Sequence, residues 1–280
     1  MTYNQIRQRL AAVYDAGEAT AVARMLLEEM FGLSLADIMC GAVEQLTPAD
    51  AVRLEQAMQR LEQAEPVQYV LGHAQFCGHT FKVGQGVLVP RPETETLVSM
   101  VADAAPHGAK VLDIGTGSGC IAISIKLARP DCHVSAYDIS PAALQVARTN
   151  ARQLNAEVDF CQCDALHLDQ PTQPLWNVVV SNPPYVCQSE SHDMAPNVLR
   201  YEPHEALFVP DDDAQLFFRA ITHYAKHALH PGGQLLFEGN TALIADTACL
   251  MQQAGFSQAH VVADCFGMPR FAVAAMPHCH

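Results

Sequence analysis

Residues 182–185 read Asn182-Pro183-Pro184-Tyr185 and follow the apolar run Trp176-Asn177-Val178-Val179-Val180-Ser181, which has the makeup of a buried strand. An amide or aromatic-amine NH2 is a weak nucleophile because its lone pair is delocalised into the neighbouring π system. A site that uses such a nitrogen must fix its orientation and accept both N–H bonds. The side-chain oxygen of Asn182 and the main-chain carbonyl of Pro183 are two suitable acceptors. Pro183 and Pro184 stiffen the backbone and remove competing N–H donors, which holds that carbonyl toward a cleft. The ring of Tyr185 can then cover a planar group. A nitrogen held in this way turns its lone-pair face toward a sulfonium methyl. The positive charge it gains on attack is stabilised by the two oxygen dipoles more in the transition state than in the ground state. Taken alone, Asn-Pro after a strand is also an ordinary turn.

A second stretch supplies context. Val111-Leu112-Asp113-Ile114 runs into Gly115-Thr116-Gly117-Ser118-Gly119 and then into Cys120-Ile121-Ala122-Ile123. A turn this rich in glycine lets a ligand lie close to the main chain, where a Cβ would collide with it. A dinucleotide loop reads G-x-G-x-x-G, whereas here the third glycine comes one residue early and Cys120 stands at its place, which weakens a nicotinamide reading. Asp138 ends the next predicted strand nineteen residues beyond Gly119, where a doubly wound fold aims an acid at ribose hydroxyls. Opening the cap of the helix at Ser140 is the alternative. Asp113 can either support the glycine turn or meet the amino group of a methionine moiety. Asp164 can line an adenine site or cap its own loop.

These segments need a frame. Residues 1–65 read as helices, with Val22, Met25, Leu26, Met30 and Leu33 and then Leu54, Met58 and Leu61 recurring every three or four positions, the second set after Thr47-Pro48. Over 75–89 the period moves toward two, with Phe76, Phe81, Val83, Val87 and Val89 among glycines, which predicts a β-hairpin linker ended by Pro90-Arg91-Pro92. A helix is expected from Pro92, with Glu93 and Glu95 in its first turn. Strands are then expected at 110–114, 133–138, 158–161, 177–181, 234–238, 260–263 and 271–274, with helices between the first of them. That order predicts an open, mainly parallel α/β sheet covered on both faces, with ligands at the carboxyl ends of its strands.

Composition narrows the function classes. The chain has 280 residues, half of them hydrophobic, enough for one large or two modest domains. Its net charge of −14 works against affinity for nucleic acid, which needs clustered Lys and Arg. No apolar run is long enough for a membrane span, and 1–10 lacks the order of a signal peptide, so the expected location is cytoplasmic. The ten cysteines, among them Cys40, Cys120, Cys132 and Cys249, form no C-x-x-C pair and are expected to be reduced and mostly buried. No metal site is expected, since neither Cys161 with Cys163 nor His278-Cys279-His280 offers a second ligand pair at a metal spacing. The run Asp211-Asp212-Asp213 is expected to cap the helix carrying Leu216 and Phe217, and Glu202 and Glu205 to lie in a solvated loop or meet a basic protein.

Along nearly its whole length the chain resembles the bacterial peptide chain release factor glutamine methyltransferase family (PrmC/HemK). The resemblance rests on the two motifs above and on Pro66-Val67-Gln68-Tyr69-Val70-Leu71-Gly72, Val89-Pro90-Arg91-Pro92-Glu93-Thr94-Glu95, Tyr201-Glu202-Pro203, Ala206-Leu207, and the final Asp264, Gly267 and Arg270. It implies a seven-stranded, Rossmann-like class I methyltransferase domain over 91–280, a hairpin linker over 66–90 and a substrate-docking helical domain over 1–65. It implies S-adenosylmethionine as methyl donor, S-adenosylhomocysteine as product, and peptide chain release factors as the protein substrate, methylated on the glutamine of a Gly-Gly-Gln loop. By resemblance, Asp113, Gly115, Thr116, Gly117, Ser118, Gly119, Asp138, Asp164, Ala165 and Asn182 serve the cofactor. Asn182, Pro183, Pro184 and Tyr185, with Arg91 and Glu95, serve the glutamine. Arg91, Glu93 and Glu95 form either an ion-pair network or a simple helix start. The Pro-Arg-Pro-Glu-Thr-Glu run is that of the release-factor branch, since a related branch acting on a ribosomal protein usually reads Pro-Arg-Ser-Pro. One departure stands out: where family members often carry an aromatic, this chain has Ala165. The tetrad is shared with amino methyltransferases of adenine in nucleic acid, but no basic target region accompanies it here. A catalytically silent scaffold would have no use for an intact tetrad.

Overall fold

The computed structural model describes residues 1–278. The chain forms two compact units, one of residues 1–74 with 194–201, the other of 75–193 with the described residues from 202 onward.

The first unit is helical: α1 Tyr3–Leu10, α2 Ala16–Phe31, α3 Leu35–Met39, α4 Pro48–Leu61 and α5 Val67–Leu71, with the short helix Pro196–Tyr201 from the returning segment. Local chemistry sets the helix ends. Thr2 and Ser34 each form a capping box, Asp15 and Thr47 accept amides of the first turn, Pro48 occupies the start of α4, and Gly32 closes α2 in the left-handed conformation. Ile6, Leu10, Leu26, Leu27, Leu54, Met58 and Leu61 form the core, each contributing about 1.5–3 kcal/mol by burial. Met25, which the spacing puts on the buried face, is 38% exposed. Ala19, Ala23 and Leu27 fill that face instead, because a 3.6-residue period drifts away from a strict three-four alternation.

The second unit is an α/β sheet. Its strands are β1 Lys110–Ile114, β2 His133–Asp138, β3 Val158–Gln162, β4 Trp176–Ser181, β5 Leu229–Glu238, β6 Ser257–Ala263 and β7 Pro269–Ala275. Across the sheet they run β6-β7-β5-β4-β1-β2-β3, parallel except for β7, which is antiparallel to both neighbours. The helices are α6 Thr94–Ala104, α7 Cys120–Ala128, α8 Pro141–Gln153, α9 Leu216–Ala228 and α10 Ile244–Gln253. Successive strand residues point to opposite faces, so Val111, Val178, Val180 and Leu236 pack with α6 and α7, while Leu112, Val179, Leu235 and Phe237 pack with α9 and α10. From β1 the chain winds one way to β2 and β3 and then the other way to β4 and β5. The crevice beside β1 is therefore the switch point where an open α/β sheet receives ligands.

Several expectations are corrected. The hairpin is confined to His73–Phe76 and His79–Lys82, turned by Cys77 and Gly78, both at positive φ; Val83, Val87 and Val89 are buried from a loop broken by Gly84 and Gly86. The helix expected from Pro92 begins at Thr94, after a turn in which the Thr94 amide donates to the Arg91 carbonyl. The Asp211–213 run does not cap α9, whose first turn receives no side-chain bond; Asp211 accepts from the Ser189 amide and Asp213 pairs with Arg219. Glu202 is not solvated but 4% exposed and paired with Arg91. Of the cysteines expected to be buried, Cys120 and Cys132 are, whereas Cys40 and Cys249 are exposed; all those described are free thiols. Among the described residues no cluster could hold a metal ion and no helix is long and apolar enough to cross a membrane; the terminal triplet 278–280, for which no metal was expected, extends outside them.

Candidate active site

The carboxyl ends of β1, β2 and β4 open onto a cavity of about 250 Å³. Its wall brings together Gly115 and Gly117 after β1, Asp138, Ile139 and Ser140 after β2, Cys163 to Leu166 after β3, and Ser181 to Pro184 after β4. Residues 86–88, Ile114, Ala143, Pro203, Glu205, Ala206, and Phe217 and Ile221 of α9 complete it. Two motifs that lie far apart in the chain therefore share one wall, because β1 and β4 are hydrogen-bonded neighbours with Ile114 opposite Ser181. The Ser181 hydroxyl tightens this junction by donating to the Ile114 carbonyl at 2.6 Å.

The three loop glycines are not equivalent. Gly115, Gly117 and Gly119 all have positive φ, but a Cβ on Gly115 or Gly117 would meet nothing within 4 Å, and both face the cavity. A Cβ on Gly119 would stand 3.0 Å from the Ala147 Cβ, so this glycine serves the approach of α7 to α8. Thr116 and Ser118 are buried beneath the turn and do not line the cavity. Asp113 is buried as well: it accepts the Thr116 hydroxyl at 2.6 Å and so supports the glycine turn. Burial pushes its carboxyl up to about 7, against the opposing pull of the Thr116 hydroxyl and the Ala122 amide.

Asp138 lies on the wall with both oxygens engaged, Oδ2 accepting the Gly117 amide at 2.8 Å and Oδ1 the Ser140 amide at 2.9 Å. Burial raises its carboxyl above the ordinary range, and these amides oppose the rise. A carboxylate oxygen accepts more than one bond, so capacity for sugar hydroxyls remains. Asp164 and Ala165 are on the wall too, and Asp164 also caps its loop through the Leu166 amide and His167. Beside Asp138, Ile139 is 53% exposed, and Leu166 adds a second apolar lining group. An open glycine cradle, a strand-end acid and adjoining apolar surface suit a nucleoside-bearing cofactor.

On the other side, Asn182 Nδ2 lies 3.5 Å from the Thr94 hydroxyl. Tyr185 is off the wall: its ring packs with the core between the sheet and α9, and burial, reinforced by Glu238, pushes its phenol up to about 12. Arg91 and Glu95 are also off the wall, and neither expected alternative for them holds in full. Arg91 pairs with Glu202 at 2.7 Å, whose other oxygen accepts the Val89 amide, and Glu95 accepts the Cys77 amide of the hairpin turn. Thr94, Ser181, Ile139 and Glu238 belong to the site as well, and no local pattern marks the first three. Glu238 had a usable signal, an acid ending a parallel strand, but only the strand order puts it next to the tetrad.

The chain matches the family model for the PrmC N-terminal domain over residues 2–72 and that for the methyltransferase small domain over residues 92–207. It is 41% identical over 269 residues to a release factor glutamine methyltransferase of Bacteroides thetaiotaomicron, covering 96% of this chain and 97% of that one. A protein of the same name from Flavobacterium psychrophilum is 37% identical, covering 95% of each. In fold, the chain is similar to a methyltransferase from Pyrococcus furiosus, with a TM-score of 0.53, 17% identity and coverage of 71% and 89%. On this similarity and the shared motifs, the chain belongs to the release factor glutamine methyltransferase family.

Proposed function

We propose that the protein transfers a methyl group from S-adenosylmethionine to the side-chain amide nitrogen, N5, of the glutamine in the Gly-Gly-Gln loop of peptide chain release factors. The observation that carries this reading is the common wall of Asn182-Pro183-Pro184 with Gly115, Gly117 and Asp138. Groups able to grip an NH2 stand beside groups able to grip a methyl donor, which is what converts a slow encounter into an oriented one. When bound, S-adenosylmethionine supplies an electrophilic sulfonium methyl and leaves as S-adenosylhomocysteine. Gly115 and Gly117 would admit its backbone, Asp138 would accept from its ribose, and Ile139, Ala165 and Leu166 would flank its base, Ala165 standing where the family often has an aromatic. Asn182 Oδ1 and the Pro183 carbonyl accept the two N–H bonds of the glutamine and stabilise the charge the nitrogen acquires. Tyr185 anchors the end of the tetrad in the core, Arg91 fixes the loop before α6 through Glu202 and the Val89 amide, and Glu95 fixes the hairpin turn through the Cys77 amide.

The test uses radiolabelled S-adenosylmethionine with a release factor, with tRNA and rRNA, or with DNA. Label enters the release factor and is lost when the loop glutamine is changed to alanine. Label in nucleic acid, or equal label in the altered release factor, overturns the reading. Residues 1–65 dock the substrate protein, a role supported by their separate core and by their supplying no part of the cavity wall. Removing them keeps S-adenosylhomocysteine affinity within about threefold but ends transfer to intact release factor. Equal rates with and without them would refute docking.

A further inference from the structure

In the sheet, Ser181 of β4 pairs with Phe237 of β5, so Asn182 and Glu238 leave adjacent parallel strands side by side. Glu238 is 1% exposed, and its Oε2 is buried with no hydrogen-bond partner. A buried acceptor left unsatisfied costs about 1–3 kcal/mol, and the preceding β5 residues, Leu235 to Phe237, are apolar core. The groups around the carboxyl include Thr94 in the first turn of α6, Asn182, Tyr185, Arg270 on β7, and Glu93. Burial pushes it up to about 7; Thr94, Arg270 and Asn182 pull the other way, and Glu93 reinforces burial. Arg270 is already held by Asp264 at 3.3 Å.

The proposed chemistry imposes a demand that these groups can meet. An asparagine amide is nearly symmetric in shape, and a flip exchanges its acceptor for a donor. A flipped Asn182 would aim N–H at the N–H of the substrate and repel it. The Thr94 hydroxyl cannot prevent this by itself, since it both donates and accepts. An ionised carboxylate, the form Glu238 takes above about pH 7, only accepts, so it discriminates between the two orientations.

We propose that Glu238 is a positioning residue for methyl transfer: its free carboxylate oxygen, together with the Thr94 hydroxyl, takes the Nδ2 hydrogens of Asn182 and so turns Oδ1 toward the acceptor nitrogen. This rests on the assignment of Asn182 as the acceptor of the substrate N–H. It also gives the Pro92-Glu93-Thr94-Glu95 run a function, in that Thr94 touches the amide that touches the substrate.

Two readouts test the proposal. In steady-state transfer to the release factor, Glu238→Ala lowers kcat about 100-fold while KM and S-adenosylhomocysteine affinity stay within about threefold. Glu238→Gln keeps an acceptor oxygen but adds a donor, so it recovers only part of the loss. If Glu238→Ala does not fold, Thr94→Val against Thr94→Ser serves: the first lowers kcat and the second does not. A kcat for Glu238→Ala within about threefold of the parent, or equal kcat losses in the Ala and Gln variants, overturns the role. The second readout needs no substrate. The Asn182 side-chain NH2 resonances, identified by their loss in Asn182→Ala, shift and exchange faster in Glu238→Ala, or in Thr94→Val where that variant stands in for it. If they do not move, positioning is wrong even where release factor is methylated. If they move while no release factor is methylated, positioning stands and the substrate assignment fails.

Discussion

Exchanging single glycines of the 115–119 loop separates packing from ligand approach. In Gly119→Ala the new methyl sits at φ +83 and meets Ile123 Cδ1 at 2.9 Å, Ala147 Cβ at 3.0 Å and Ala147 Cα at 3.3 Å. The Ile123 methyl is the end of a flexible chain and can turn aside, but the Ala147 atoms belong to α8 and cannot. Left-handed backbone costs a non-glycine residue about 1–2 kcal/mol and overpacking about 1–3 kcal/mol, so together the loss is about 2–5 kcal/mol. At about 2–4 °C per kcal/mol for a domain of this size, the melting temperature falls by roughly 4–20 °C. Gly117→Ala, at φ +56 with nothing within 4 Å, carries only the backbone cost of about 1–2 kcal/mol. Its methyl instead projects into the cavity, so S-adenosylhomocysteine affinity falls about tenfold or more. Urea unfolding followed by circular dichroism and calorimetric titration with S-adenosylhomocysteine measure the two effects. If Gly117→Ala is the less stable variant and Gly119→Ala the weaker binder, the division of roles is wrong.

Asn182→Ala lowers kcat about 1000-fold with S-adenosylhomocysteine affinity nearly unchanged, and turnover within about tenfold of the parent would refute the role of its oxygen. Arg91→Met leaves the Glu202 carboxylate buried with its charge unpaired and destabilises the fold by about 2–4 kcal/mol in urea unfolding. Adding Glu202→Gln recovers at least half of that, and strictly additive losses would show the pair to be unimportant. Asp113, raised to about 7 from an ordinary value near 3.9, holds a proton in the folded chain that the unfolded chain releases. Its contribution is full below about pH 4 and is lost as pH rises toward 7, by up to about 1.4 kcal/mol per pH unit. Asp113→Asn therefore flattens the fall in unfolding free energy between about pH 5 and 7 in part, Glu238 supplying a similar slope, and an unaltered slope would refute the assignment.

What was legible beforehand follows from how local the cause was. Strands β1 and β2 lie where the apolar runs and glycine punctuation put them, and α8 begins at Pro141 behind Ser140 as its cap chemistry requires. The glycine cradle, Asp138 and Asn182 reach one cavity because each ends a parallel strand, and parallel strands present their carboxyl ends on one edge. The hairpin came out shorter than its alternating pattern, because Val83, Val87 and Val89 are buried through tertiary packing and not through pairing. Glu202 was misplaced for a related reason: charge in a loop reads as solvated until a distant partner, here Arg91, is brought beside it. The Asp211–213 run, read as a helix cap, is drawn instead to the Ser189 amide and to Arg219.

Residue type and spacing alone determined the order of the sheet strands, the two motifs and the kind of nitrogen they suit, since periodicity, caps and turn glycines act over a few neighbouring residues. Tertiary structure alone decided that Glu238 and Thr94 flank Asn182, that Gly119 serves a helix contact while Gly117 serves the cavity, and that Tyr185 stands behind the wall. Those facts depend on which strands are neighbours and on which side chains the burial of the sheet brings together across gaps of tens of residues, and no local pattern encodes either.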